Sequence, residues 1–516
     1  MRKKLAIILI IYSILSIFLF KYFQYYAVSD VVAYLDIAKK YLVGDFFNGI
    51  NGIWGVLISW LLVPFLLVGI KPLVSFKILN LIIGGLTIIG FDKLCKRFAL
   101  NEQINFLLLL ITLPAVLSFA LVHTTPDLLA VCVLLYYLDL IFDENYEQNI
   151  WNGVCVGLLG GIGYLTKHYI FYFILIHLLL SHLFKFFYKK NDSRKKIATN
   201  LLVSYFVFLI ISVSWIYILS NKYGFFTVGT SMDYNRAWMS PLSQGHAPEY
   251  LGLLEPSNPS ANSMWEDLTY YVKFMPDNKW SPLSSVLNFK YQIILIFKNL
   301  SETFLIFNKF SLILGPIIFL LGVIYVIKNI KKRDILVDKV FLSLVVIILY
   351  SSGYLLIRTS DRYVWIDYFL LLLMGGLYFN KFYSSLLNLN NRKLILSILF
   401  IIYSLSFIVT PIRRLMINIY QDKKIYDLSV LLRDNNVSGR IASNANWSDT
   451  SILSYYLNTK YYGVPVKYAD SKALVKQLDD SEINYYLEWV DSKNISSLKD
   501  VNLIFDDAGL KVYKLK

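Results

Sequence analysis

Long apolar runs separated by short polar stretches occupy the chain up to about residue 410. Eleven of these runs reach or approach the roughly 17 to 25 residues that a helix needs to cross a bilayer. This pattern predicts an α-helical polytopic membrane protein with about eleven transmembrane helices. The runs are residues 4–22, 73–91, 104–121, 127–142, 151–166, 169–185, 199–220, 306–327, 339–357, 363–379 and 394–410.

The pattern changes after residue 410, where short apolar stretches of strand type alternate with amphipathic stretches of helix type. We therefore predict a transmembrane domain over residues 1–410 and a small α/β domain over residues 411–516. Strands are expected at 441–443, 460–464, 485–490, 501–505 and 510–514, and helices near 422–434, 449–457 and 470–481.

Composition excludes a soluble protein of several domains. The 516 residues have a mean hydropathy of +0.54, and 57% of them are hydrophobic while only 16% are charged. The net charge is +15, but residues 417–516 contain 13 basic and 13 acidic residues, so the excess belongs to the membrane part. Basic loops on a membrane protein favour contact with anionic lipid, not with nucleic acid.

The segment 53–70 decides the topology, because it is apolar enough to be a twelfth span. Cytoplasmic ends of membrane helices carry Lys and Arg. If 53–70 crossed the membrane, the later basic clusters would lie opposite the basic start Arg2-Lys3-Lys4. We therefore predict that 53–70 lies at the membrane interface, that the N-terminus is cytoplasmic, and that the C-terminal domain is extracytoplasmic on the plasma membrane.

With this topology, the unusual polar segments share the outer face. They are residues 23–72, 122–126, 167–168, 221–305 and 358–362. Segment 221–305 is too long for a simple connector. It is rich in aromatic residues, which stack on sugars or anchor a loop in the interface, and it ends in an amphipathic run, 286–304, that is expected to lie on the membrane.

Two carboxylates on this face are candidate catalytic groups. Asp30 opens a helical pattern, and Asp127 follows Thr125-Pro126 at the entrance to a span. Either acid can serve simply as a helix cap or as a partner of the helix dipole. The functional alternative is a general base at Asp30, which would take a proton from an acceptor hydroxyl or amine.

Basic residues accompany these acids. Lys167 and His168 interrupt an apolar hairpin, and Arg358 and Arg362 flank a short outer loop. Each can act as an anchor whose charged end reaches the interface. Together they provide fixed positive charge suited to a phosphate or diphosphate at the level of the lipid head groups.

Cofactor signals are weak. Asp30, Asp127 and His123 could hold a divalent metal, but no pair among them has diagnostic spacing. The sequence contains neither a Walker loop nor a dinucleotide-binding glycine fingerprint, so direct use of a cytosolic nucleotide is not expected.

A set of short motifs in this order resembles the polytopic GT-C glycosyltransferases, in the branch related to aminoarabinose transferase and protein O-mannosyltransferase. The resemblance covers roughly residues 1–410 and depends on the set as a whole. Its motifs are Ser29-Asp30, Tyr34, Ala38, Gly44-Asp45, Asn51-Gly52-Ile53-Trp54, Thr125-Pro126-Asp127, Tyr164-Leu165-Thr166-Lys167-His168 and Asp361-Arg362-Tyr363.

This resemblance implies inverting transfer of a sugar from a polyprenyl-phosphate or polyprenyl-diphosphate donor to a glycan, lipid or protein acceptor. Asp30 and Asp127 match the acids of the family's first and second outer loops. Lys167 and Arg362 match residues expected near the donor phosphate, with Tyr363 beside them. Arg358 is added to this set for its charge on the same loop, and further substrate contacts are expected from His168, Arg236 and Trp54. Many relatives have a second acid directly after the first, whereas here Val31 follows Asp30.

Alternatives from other classes stay open at the sequence level. A transporter or flippase for lipid-linked sugars would carry polar residues through the depth of its spans. A non-catalytic membrane scaffold that presents residues 411–516 would tolerate replacement of both acids. Within the enzyme class, an oligosaccharide polymerase that uses lipid-linked donors fits the same residues.

Overall fold

The protein is mostly helical in the computed structural model, which describes residues 2–188, 191–276, 278–329, 335–385, 390–419, 423–467, 470–490, 498 and 501–515. Helices α1 to α10 are Arg2–Phe23, Ser29–Val43, Phe46–Gly49, Leu57–Leu67, Pro72–Arg97, Glu102–Val122, Asp127–Ile141, Ile150–Thr166, Tyr169–Tyr188 and Asn191–Tyr223. Helices α11 to α20 are Ser231–Trp238, Ala247–Tyr250, Val286–Ser311, Leu314–Asn329, Ile335–Leu355, Trp365–Ser385, Asn390–Ile419, Lys424–Asp434, Trp447–Leu457 and Ser471–Asp480.

The predicted polytopic membrane fold is confirmed. Within the described ranges, eight helices are long and apolar enough to cross a membrane, or nine when the bent pair α13–α14 counts as one span. The other two predicted spans, 127–142 and 151–166, form α7 and α8, which contain 15 and 17 residues. At 1.5 Å per residue both are shorter than the roughly 30 Å hydrocarbon core. Each can therefore end below the membrane surface, where polar loops meet.

The predicted span 306–327 is wrong at its start. Residues 306–311 continue the amphipathic helix α13, and the chain then turns by 115° before α14. Leu312 makes this turn with a positive φ of 51°, which is rare for a leucine. A sharp break of this kind leaves no mark in apolar periodicity, since residues on both sides of it are hydrophobic.

The segment 53–70 forms the helix α4, which has only 11 residues. At 1.5 Å per residue its length is about 16 Å, so it cannot cross a bilayer alone. This short helix is consistent with the expected interfacial placement of 53–70. It packs against α2, where the Ser59 hydroxyl donates to the Tyr34 carbonyl at 2.9 Å.

The C-terminal part forms a small α/β domain with a five-stranded mixed sheet in the order β2-β1-β3-β5-β4. Strands β1, β2 and β3 are parallel, and β5 joins β3 and β4 in antiparallel pairs. Each predicted strand is present, with bounds Arg440–Ser443, Lys460–Tyr461, Tyr485–Trp489, Asn502–Asp507 and Leu510–Lys514 for β1 to β5. The helix α17 runs past residue 411, through Pro411, before this domain begins.

The outer loop 221–305 packs directly on the edge of this sheet. The Tyr461 amide donates to the Asn262 carbonyl at 2.8 Å, and the Val464 amide donates to the Pro248 carbonyl at 3.3 Å. Strand β2 is shorter than predicted, although Tyr462 and Gly463 still hydrogen-bond to β1 beyond its end. Loop and domain also share one apolar core, which includes Met264, Trp265, Leu428, Tyr461 and Leu487.

Buried ion pairs fix the same loop to the membrane part. Lys40 on α2 pairs with Glu266, and each side chain is only 2% exposed. The next residue, Asp267, accepts a hydrogen bond from the Tyr223 hydroxyl at 2.8 Å and lies 3.5 Å from Lys222. Charges at this depth are tolerated only when they are paired, so these contacts set the position of residues 265–267.

We expect Lys40→Met to destabilise the protein by about 3–5 kcal/mol, because it leaves the Glu266 carboxylate buried without a cation. The double variant Lys40→Met/Glu266→Gln should recover much of this loss, since it removes both charges. The measurement is the thermal unfolding midpoint of the purified protein.

Lys309→Met is the matched control, because Lys309 pairs with Glu302 at 3.1 Å while both side chains are substantially exposed. An exposed pair contributes roughly 0–1 kcal/mol. A midpoint for Lys40→Met no lower than that of Lys309→Met would contradict the anchoring role.

Candidate active site

Four chain segments converge at one end of the membrane helices. Asp30 lies in the first turn of α2, Asp127 begins α7, Lys167 lies between α8 and α9, and Arg362 precedes α16. Asp30 is 7% exposed and Asp127 is 5% exposed. The structure thus brings together the two predicted acids and two of the predicted cations in one buried cluster.

Both carboxylate oxygens of Asp30 have a donor from a distant part of the chain. Arg362 Nη1 donates to Oδ2 at 2.7 Å, and Trp265 Nε1 donates to Oδ1 at 3.3 Å. The residue at the N-cap of α2 is Val28, which makes no side-chain cap bond. The carboxylate of Asp30 therefore points to side chains across the site, not to its own helix.

Asp127 is held by three groups. Lys167 Nζ lies 2.7 Å from Oδ1, the Thr125 hydroxyl donates to Oδ2 at 2.7 Å, and Arg362 Nε lies 3.9 Å from Oδ2. The Thr125 hydroxyl bonds to the carboxylate and not to the helix backbone, and Pro126 occupies the N-cap position of α7. Asp127 thus orients two cations from one side of the cluster.

Arg362 joins the two acids, because it pairs with Asp30 and also approaches Asp127. Lys167 lies over the ring of Tyr363, with Nζ 4.1 Å from the ring centroid. Tyr363 in turn stacks on Tyr354, with ring centroids 5.1 Å apart. Cation–π contacts and ion pairs together fix the ammonium and the guanidinium in place.

The cluster is electrically neutral, with two acids and two bases. Both cations nevertheless keep donors free for a ligand, because a guanidinium has five N–H groups and an ammonium has three. A phosphate oxygen could therefore accept from Lys167 and Arg362 without either cation giving up its carboxylate. This arrangement can hold an anionic group beside a carboxylate base.

Arg358 lies on a separate aromatic wall. Its guanidinium stacks on Trp238 at 4.2 Å, and Trp238 packs against His246 with ring centroids 3.9 Å apart. Arg236 pairs with Asp233 at 3.2 Å within its own helix, so it contacts neither acid of the cluster.

Trp54 contacts the loop residues that bond to the cluster. Its Nε1 donates to the carbonyls of Trp265 and Glu266, at 3.2 and 3.0 Å, and its ring packs against Trp265. This bond to the backbone uses the indole N–H for structure. Trp54 therefore positions the residue that bonds to Asp30.

His168 is buried, and neither ring nitrogen has a hydrogen-bond partner among the described residues. A Cβ atom on Gly229 would lie 2.5 Å from the imidazole, so only glycine permits this close approach. Burial lowers the pKa of His168 to about 4. The imidazole is therefore neutral at neutral pH.

His123 accompanies a second ion pair, between Arg414 and Asp361. Its Nε2 lies 3.1 Å from Arg414 Nη1, and burial together with Arg414 lowers its pKa to about 3. In the part of the chain that the structure describes, no three His, Cys, Asp or Glu side chains are placed to hold a metal ion. Asp30, Asp127 and His123 instead each lie beside a lysine or arginine side chain.

Sequence reasoning missed two contacts of the site, from Trp265 and Arg414. Trp265 is 235 residues from Asp30, and Arg414 is 291 residues from His123, so no local pattern links either pair. The sequence offers no signal for Arg414 beyond its position after the last apolar run. The one signal for Trp265 is its place in the aromatic-rich segment 221–305.

Comparison with known proteins gives a structural result and no sequence match. No family model matches the chain, and no curated protein matches it. Two crystal structures of ArnT from Cupriavidus metallidurans do match its structure. The apo structure has a TM-score of 0.57 at 11% identity, and the alignment covers 98% of this chain and 97% of that one.

The second ArnT structure, with undecaprenyl phosphate bound, has a TM-score of 0.58 at 12% identity and covers 98% of both chains. At such low sequence identity the comparison shows a shared fold and nothing further. The predicted polytopic fold with a C-terminal α/β domain is confirmed as similar to that of ArnT, and the likeness extends through the C-terminal domain, beyond the residues whose motifs carried the resemblance.

Proposed function

We propose that this protein is a membrane glycosyltransferase that moves a sugar from a polyprenyl-phosphate or polyprenyl-diphosphate donor to an acceptor. The observation that carries the proposal is the buried cluster in which Arg362 joins Asp30 and Asp127 beside Lys167. Its position at the ends of membrane helices suits a lipid-linked donor. A protein of the same fold, ArnT, has undecaprenyl phosphate bound in its crystal structure.

Asp30 is the general base in this proposal. Its carboxylate accepts hydrogen bonds from Arg362 Nη1 and Trp265 Nε1, which hold it in place within the cluster. In the reaction, the acceptor oxygen or nitrogen forms a bond to the anomeric carbon while its proton moves to Asp30. The bond from that carbon to the carrier phosphate breaks on the opposite face, so the configuration inverts.

Lys167 and Arg362 hold the carrier phosphate and stabilise the charge that it gains as the bond breaks. Asp127 is a positioning residue for both cations. Tyr363 fixes the ammonium of Lys167 through its ring. Arg358, on the aromatic wall beside the cluster, would contact a second phosphate if the carrier is a diphosphate.

The proposed topology follows from the basic start of the chain and the placement of the polar segments. The N-terminus would face the cytoplasm, and the cluster, the outer loop and the C-terminal domain would lie outside the plasma membrane. The acceptor would then approach from the side of the outer loop.

We expect Asp30→Asn to reduce sugar transfer by about 10²- to 10⁴-fold, because the amide cannot accept the proton. Asp127→Asn should also lower transfer, since it releases Lys167. The assay uses membranes with a radiolabelled pool of polyprenyl-phosphate sugars, at equal expression of each variant.

Asp233→Asn is the matched control, because Asp233 is on the outer loop and pairs only with Arg236 among the ion pairs of the described chain. Wild-type rates in all three variants would count against the enzyme and favour transport or scaffolding.

Lys167→Gln should weaken inhibition of the reaction by free undecaprenyl phosphate by about 10- to 100-fold, the effect of losing one charge-assisted hydrogen bond. Lys273→Gln serves as the control, since Lys273 is exposed on the outer loop. An unchanged inhibition constant in a folded Lys167→Gln protein would remove Lys167 from the phosphate site.

A further inference from the structure

A crevice of about 430 Å³ lies between the outer loop and the C-terminal domain, apart from the buried cluster. Its size falls in the roughly 300–1,000 Å³ range of small-molecule sites. The crevice is lined mainly by Glu249 of the outer loop and by the segment 444–449, which runs from the end of β1 into the first turn of α19. None of its lining residues has a role in the proposed bond-making and bond-breaking steps.

The crevice lies where the sheet topology favours binding. The chain leaves β1 for β2 on one side, and β3 lies on the other side of β1. The carboxyl end of β1 is therefore a topological switch point, where connections leave in opposite directions. Segment 444–449 follows this end directly, and Val464, just beyond β2, completes the wall.

A chain of aromatic rings connects the crevice with the base. Trp447 lines the crevice, and its ring centroid lies 4.4 Å from that of Trp265. Trp265 Nε1 donates to Asp30. Trp447 is itself oriented by Glu249, which accepts from its Nε1 at 3.0 Å. The crevice and the carboxylate thus lie on opposite sides of two packed indoles.

The lining selects a ligand by charge. Among the described residues that form it are two carboxylates, two amides, one hydroxyl and one indole, and none is Lys, Arg or His. The Asn444 amide is bonded to the Trp489 backbone and the Trp447 ring is buried, so Glu249, Asp449, Asn446 and Ser448 supply the polar groups that a ligand can reach. Carboxylates, amides and hydroxyls of this kind bond to hydroxyl and amine groups. An anionic group here would meet Glu249 and Asp449 with no cation in the lining to offset them.

Asn446 adds a polar group of constrained position. It has a left-handed backbone, with φ 50° and ψ 45°, and its side chain makes no cap bond to α19. Asparagine adopts this conformation more readily than most residues other than glycine. The amide of Asn446 is thereby left exposed at the crevice instead of closing the helix end.

We propose that this crevice binds the acceptor through a neutral or amine-bearing sugar, and that it rejects phosphorylated sugars. The inference rests on the proposed function, because it names the acceptor class of that same transfer. It commits to a carbohydrate and not to a peptide, since the polar lining with one indole offers little apolar surface for peptide side chains.

The test measures binding by saturation-transfer NMR on full-length Asp30→Asn protein in nanodiscs, without donor and without sugar-based detergent. The probes are glucosamine, methyl α-glucoside, glucose 6-phosphate and the tripeptide Gly-Ser-Gly. Glucosamine should bind most tightly, and glucose 6-phosphate should bind on the order of ten-fold more weakly. Adding Asp449→Asn should weaken glucosamine binding by about the same factor.

Asp506→Asn, on the edge strand β4, is the matched control, because it removes one carboxylate from the same domain far from the crevice. The inference is overturned if glucose 6-phosphate or the tripeptide binds as tightly as glucosamine. It is also overturned if Glu249→Gln and Asp449→Asn leave binding at the level of Asp506→Asn.

Binding and transfer are scored separately in this design. Active membranes whose protein shows no sugar binding at the crevice would overturn this inference and leave the proposed transfer standing. Sugar binding that responds to Asp449, combined with no transfer in the radiolabel assay, would overturn the proposed function and with it the role of the sugar as acceptor.

Discussion

The ion pair between Arg362 and Asp30 is the contact on which the rest of the site depends. It joins the segment just before α16 to the start of α2 across 332 residues of sequence. The same guanidinium approaches Asp127, which in turn holds Lys167. Burying any one of these charges alone would be strongly unfavourable, so the four side chains occupy their positions as a group.

The outer loop connects the cluster with the C-terminal domain. Residues 265–267 contact Asp30, Lys40 and Tyr223 on the membrane side. The ring of Trp265 packs against Trp447 on the other side. Because the loop and the domain share one apolar core, the domain cannot shift without moving the residue that bonds to Asp30. The domain is thus structurally part of the site's outer wall.

The sequence predicted the architecture more fully than the contacts. Apolar runs and strand patterns located the membrane helices and the mixed sheet, because burial and periodicity are local properties. The break at Leu312 was missed, since both flanking segments are apolar. The resemblance pointed to Asp30, Asp127, Lys167 and Arg362, which converge, but no pattern within the chain could pair them.

The contacts of Trp265 and Arg414 could not be predicted from the sequence. Their roles follow from the packing of a long loop and of the last membrane helix onto segments hundreds of residues earlier. Arg358 and Arg236 show the opposite case, since they have suitable charge but other partners. Charge and position along the chain select candidates, and tertiary packing decides which of them meet.

In the neutral cluster, the charge of Arg362 is balanced by carboxylates before the proposed transfer begins. Before transfer, Arg362 is shared between two carboxylates. In the proposed transfer, the Asp30 carboxylate becomes neutral when it accepts the acceptor proton, and its attraction for the Arg362 guanidinium weakens. At the same moment the departing phosphate gains negative charge. The positive charge of Arg362 would then be available to stabilise the leaving phosphate. Proton removal by Asp30 and cleavage of the bond to the phosphate would thus assist each other through this one side chain.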